Sequence, residues 1–183
     1  MINLTSITHN SSQENVLKLP ACGNLSHSRW LHVRTLEVTA CRIASLLSQS
    51  FEDVQSEILC SPNLQNNAIE SIEKTTFAKF VNIVNLDISD NNLRALDEGI
   101  FDSLSALNVL SIARNTITSL NTALFKSIRK LYFINVADNF ITDVFGGFAP
   151  IDPMYVLLNS NRLREIREET FQICSPLLYL DVG

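Results

Sequence analysis

Glycine and proline are scarce in this 183-residue chain, at five each, which excludes a collagen-like or linker-like polymer. Positive charge is also short. Fourteen Lys and Arg face nineteen Asp and Glu, a net charge of -5, so a nucleic-acid phosphate backbone is not the expected partner. No apolar run approaches the roughly 18 residues of a membrane span. The opening MINLTSITHNSSQENVLKLP lacks the basic start and apolar stretch of a secretory signal. The three histidines, His9, His27 and His32, fall in or near this polar start, with no paired nucleophile or metal-ligand spacing. Four cysteines include no C-x-x-C pair, and no Gly-rich phosphate loop occurs. Neither catalytic residues, a metal nor a cofactor is expected.

What the chain does have is apolar substance. At 46% hydrophobic and 18% charged residues, it is long enough for one domain with a sizeable core. The stretch LDISDNNLRALDEGIF, from Leu86 to Phe101, alternates like a strand and then changes to a spacing of three. Aligned on Asn91, it reads apolar-x-x-Leu-x-Leu-x-x-Asn-x-Leu-x-x-Leu, with Phe ten residues after the Asn. The pattern returns at Leu107, Leu110, Ile112, Asn115, Ile117, Leu120 and Phe125, and again from Leu131 through Asn139 to Phe148. Asn67, Asn91, Asn115 and Asn139 are each 24 residues apart. Looser copies run from Val33 to Phe51 with Cys41 in the Asn slot, from Leu59 to Phe77, and from Pro153 through Asn161 to Phe171. A seventh begins at Leu177 and stops at Val182.

This pattern is the leucine-rich repeat signature. Residues 33–182 resemble the 24-residue class with a Phe in the convex segment. That class occurs mostly in extracellular proteins: Toll-like receptors, Slit-type and adhesion ectodomains, and secreted leucine-rich immune factors of insects. The resemblance implies an α/β repeat fold, a curved right-handed solenoid with a parallel sheet on its concave face and an irregular or short helical convex side. Residues 1–30 read as a polar flank or partial cap. Residues 31–183 read as the repeats, six near-complete and a seventh truncated. Because the last strand has no cap after it, the simplest account is a fragment of a longer protein, whose true start need not be Met1. The cysteine cap usual before such repeats is not evident, since only Cys22 precedes them.

Each slot has a physical task. The fourth and sixth residues of a repeat point inward from the strand, and the third and fifth point out. The Asn column, Cys41, Asn67, Asn91, Asn115, Asn139 and Asn161, places an amide where the strand turns, able to satisfy buried backbone groups. The Phe fills the width under the convex side. Pro62 takes an inward slot and removes a ladder donor, so the second repeat is expected to be irregular. The interval from Asn139 to Asn161 shortens to 22, which points to a convex-side distortion around Gly146 and Gly147.

Function in such a solenoid belongs to the outward positions. In the third slot Phe133, Tyr155 and Tyr179 fall in successive repeats, with Leu157 beside them. They form either an anchoring surface for a protein or a ladder of rings that cover one another. Asp87, Asp90, Arg114 and Asp138 complete the candidate concave binding face. Carboxylates such as Asp87, Asp90 and Glu98 belong to repeat turns or a solvated face rather than to catalysis. Cys41 reads as core. Cys22 and Cys60 could pair, or the thiols stay free. Asn3, Asn10 and Asn24 head glycosylation sequons, all in the polar flank.

The expected function is non-enzymatic protein recognition, by an extracellular receptor or a secreted innate-immune factor with a protein ligand or co-receptor. The alternatives are an intracellular scaffold or regulatory subunit and a structural spacer in a longer receptor. Nothing in the sequence sets the oligomeric state. Truncating Phe125 to Ala should open a cavity and destabilise the fold by about 3–5 kcal/mol. A thermal melt that moves by less than about one degree would contradict that placement.

Overall fold

A computed structural model describes residues 16–18, 34–51, 54, 56–147, 154–167, 170 and 177–183. The repeats wind into a solenoid. Each contributes one short strand to an eight-stranded sheet whose described pairings are all parallel, because every turn of the coil brings the chain back in the same direction. The strands of this sheet, in spatial order, are β1 (Val16–Lys18), β2 (Thr35–Glu37), β4 (Ser61–Asn63), β6 (Asn85–Asp87), β7 (Val109–Ser111), β9 (Phe133–Asn135), β11 (Met154–Leu157) and β12 (Leu177–Asp181). Strand β1 lies in the polar flank and pairs Val16 with Thr35, so the sheet reaches back beyond the first recognisable repeat.

Alternation along the strands divides the side chains. Leu86, Leu110, Ile134 and Val156 in the fourth slot, with Ile88, Ile112, Val136 and Leu158 in the sixth, are buried almost completely. The residues between them face the concave surface. Opposite the sheet run two short parallel pairs, β3 (Ser45–Leu46) with β5 (Ser71–Ile72) and β8 (Ser119–Asn121) with β10 (Asp143–Phe145). Two 3₁₀ turns, Ser48–Phe51 and Thr122–Phe125, complete the described regular structure of the convex side. Between the layers stand the buried rings of Phe51, Phe77, Phe101 and Phe125. The first three stack at centroid separations of 6.2 and 6.4 Å.

The asparagines join the turns. In Asn91, Asn115 and Asn139 the side-chain carbonyl accepts a backbone N–H of the preceding turn at 3.0 Å. Each NH₂ donates to three carbonyls at 2.9–3.2 Å, one in the preceding turn and two in its own. Asn67 and Asn161 repeat the arrangement at the two ends of the series. Both amide hydrogens and one lone pair of the carbonyl are thereby used inside the solenoid.

The cysteines behave differently from the sequence expectation. Cys41 is disulfide-bonded rather than an inert core thiol, and its partner lies outside the described residues. Cys60 is a free thiol whose Sγ donates to Ile58 O at 3.2 Å, so no Cys22–Cys60 bridge forms. The reason is geometric. Cys41 sits past the end of β2, at the head of the Asn column, whereas Cys60 stands just before β4.

Pro62 causes less irregularity than expected. Strand β4 survives and pairs in register with β2 through Ser61, Pro62 and Asn63. The donor that proline lacks falls in the ladder to β6, where only Asn63↔Asp87 remains paired. Downstream, β11 keeps register with β9 despite the 22-residue interval. Gly146 adopts a φ of 80°, and a Cβ there would lie 2.9 Å from Thr122 Oγ1, so the backbone closes directly on the neighbouring convex turn. Pro153, Phe148, Phe171, Cys22, Cys174 and the three histidines lie outside the described residues.

Candidate concave binding face

Leaving the strand requires a sharp bend, and the outward side chains help to build it. The fifth-slot residues Asn63, Asp87, Asn135 and Asp181 each accept, through Oδ1, the backbone N–H two residues on, at 2.9–3.1 Å. These are Asx turns, in which a short polar side chain stands in for a backbone acceptor. In six repeats the chain takes a left-handed conformation three residues after the fifth slot. Ala40, Asn66, Asp90, Arg114, Asp138 and Ser160 all have φ between 50° and 57°. That region is uncommon for residues other than glycine, and here it drops the next residue into the Asn column.

Asp87, Asp90, Arg114 and Asp138 therefore sit at or beside the bend. Arg114 forks onto Asp90, its Nε and one terminal nitrogen at 2.6 and 2.7 Å from the two carboxylate oxygens. Gln65 Nε2 adds a third donor at 2.9 Å. The Arg114 guanidinium holds the Asp90 carboxyl below the usual carboxylate range, and Asp90 in turn raises Arg114. Asp138 and Asp87 add to the negative field around the same guanidinium. The acidic half of the concavity is thus knitted together rather than left open.

The aromatic half is arranged otherwise. Register places Phe133, Tyr155 and Tyr179 side by side, and Leu157 between Asn135 and Asp181. The rings of Tyr155 and Tyr179 are 6.2 Å apart and tilted by 32°. A residue not anticipated from the sequence joins them: Tyr132, just before the strand, lies 5.1 Å from Tyr155 at 59°. Its hydroxyl hydrogen-bonds with Tyr155, which pushes the Tyr132 phenol up. An aromatic residue immediately before Phe133 was the available signal. The rings touch without covering one another, since Tyr132 remains 43% exposed and Tyr179 48%. Phe133, Tyr155 and Leu157 are half-buried. The sequon residues Asn3, Asn10 and Asn24 lie outside the described residues. Among the described residues, no helix is long and apolar enough to cross a membrane, and no group of His, Cys, Asp and Glu is placed to hold a metal.

A family model for leucine rich repeats matches residues 81–141. No curated protein matches the chain. Among solved structures, the fold is similar to that in the Toll–Spatzle complex, "a molecular hub in Drosophila development and innate immunity", at 20% identity and a TM-score of 0.62 over 83% of this chain. In the glycosylated form of that complex the values are 18% and 0.72 over 91%. The leucine-rich repeat domain of APL1B aligns at 19% and 0.65 over 92%. The chain spans 23% and 24% of the first two chains and 62% of the third. At these identities the likeness is one of fold.

The Asp90–Arg114 pair sets a pH dependence. A carboxyl depressed in the folded state stabilises it above the unfolded pKa, and that contribution is lost as pH falls through the folded one. Replacing Asp90 with Asn should cost under about 1 kcal/mol at neutral pH, because Arg114 is half in solvent. The difference from wild type should close below about pH 4. Denaturant titrations of both proteins across the acid range check this.

Proposed function

We propose that this leucine-rich repeat protein, which shares its fold with Toll and APL1B structures, is an extracellular recognition module whose concave aromatic face binds another protein. One observation carries the reading. Tyr132, Tyr155 and Tyr179 lie ring against ring, with Leu157 two residues along the strand from Tyr155, and remain partly open to solvent, whereas Asp90, Arg114 and Gln65 in the polar half bond to one another. Tyrosines supply large, rigid contact area with hydroxyls able to bond across an interface, the composition of binding hot spots. The partner is a protein ligand or co-receptor, and catalysis has no part in this reading.

The disulfide at Cys41 supports an extracellular setting, since such bonds persist in oxidising compartments and are rare in the cytosol. Innate immunity is the context suggested by the Toll–Spatzle structure and by the 24-residue repeat class. An intracellular scaffold would keep Cys41 reduced and Asn3, Asn10 and Asn24 bare.

Two measurements test the proposal. Peptide-level mass analysis of native protein, without reduction, should find Cys41 bridged and glycans on at least one of Asn3, Asn10 and Asn24. A bare, reduced chain would move the function inside the cell. Tyr155→Asp should fold normally yet bind a partner recovered from the source fluid at least about 2 kcal/mol more weakly. Unchanged affinity would leave the rings as packing within a spacer.

A further inference from the structure

On the flank beyond the strands' carboxyl ends, Glu70, Asn92, Arg94, Thr116 and Thr118 line a hollow of about 510 Å³ drawn from three consecutive turns. That is the size range of small-molecule sites. Two features bear on what it can bind. Opposite charges on adjacent turns close into pairs at Asp90 and Arg114, 2.6 Å apart, and at Glu98 and Lys126, 2.7 Å apart. Glu70 and Arg94 also occupy equivalent places on adjacent turns, yet they form no pair, nor have they another side-chain partner among the described residues. Thr116 turns its hydroxyl proton inward to Leu93 O at 2.9 Å and so offers only lone pairs outward.

The donor set selects a chemistry. The planar ends of Glu70, Asn92 and Arg94 can each engage two neighbouring groups at once, the carboxylate accepting, the guanidinium donating and the amide doing both. Adjacent hydroxyls on a sugar ring, each donor and acceptor, match that arrangement. One positive and one negative side chain leave no net charge, which favours a neutral ligand. An aromatic surface stands next to the hollow: Phe140 follows Thr116 in the same slot one turn on and is 39% exposed. The Arg162 guanidinium lies 4.4 Å from its ring centre and steadies it. We propose that this hollow binds a neutral oligosaccharide. The proposal does not rest on the protein-binding reading of the concave face.

Such a ligand could be a glycan on a partner glycoprotein or a free polysaccharide, and the test separates them. Saturation-transfer NMR and calorimetry would be run with three probes: chitohexaose, laminarihexaose and a high-mannose N-glycan. At least one should bind. Arg94→Ala and Glu70→Gln should each weaken it about tenfold. Thr116→Arg, which fills the hollow, should abolish it, with folding checked by thermal melt. Arg129→Ala, in an exposed turn before β9, should leave binding unchanged. Binding of the N-glycan alone identifies a glycoprotein source, and binding of a homopolymer identifies a free polysaccharide. Failure of all three probes, or binding indifferent to Arg94, Glu70 and Thr116, overturns the proposal.

Discussion

A buried asparagine amide shared between two turns is the constraint on which the solenoid depends. Leaving a buried strand exposes backbone N–H and C=O groups that neither sheet nor solvent can satisfy, and each one left bare costs on the order of 1–3 kcal/mol. Asn91, Asn115 and Asn139 meet four such groups apiece, and the shared ones tie each turn to the turn before it. The Asx turns and left-handed bends exist to deliver that side chain. The leucines and the Phe column then fill the space the ladder has fixed.

This dependence explains what was legible in the sequence. Slots that face the core admit few residue types, so Leu86, Asn91 and Phe101 recur visibly at their intervals. The bend is invisible by residue type, because it is a backbone state imposed by the turn. Ala40, Arg114 and Ser160 adopt it as readily as Asn66, Asp90 and Asp138. Fifth-slot Asp87 and Asn135 look in sequence like residues that merely face solvent, and they are acceptors for the turn. Tyr132 was hidden for another reason: its slot holds Arg34, Cys60, Val84 and Asn108 in other repeats, so no period marks it. Cys41 fits the repeat pattern in the Asn slot, and nothing in that pattern separates a bridged cysteine from a free one.

The concave face illustrates how a regular scaffold leaves part of its surface available. Around Asp90 each charge meets a neighbour, so a partner would have to displace Arg114 and Gln65 before gaining anything. Around Tyr155 the neighbours are rings in tilted contact, which lose little by accepting another apolar surface. Difference in satisfaction, rather than hydrophobicity alone, distinguishes the two halves of one sheet.

Pro62 has a consequence for how the stack holds together. In a linear array each turn is stabilised by its two neighbours, and the couplings between turns set how far unwinding spreads. The missing donor removes one bond from the step between β4 and β6, where Leu64 N–H on Asp87 O and the Asn91 side chain still join a short leading block to a longer trailing one. The leading block has few turns with which to share stability. It is also the block that contains the disulfide-bonded Cys41, a covalent bond where the hydrogen-bond ladder has fewest turns to share.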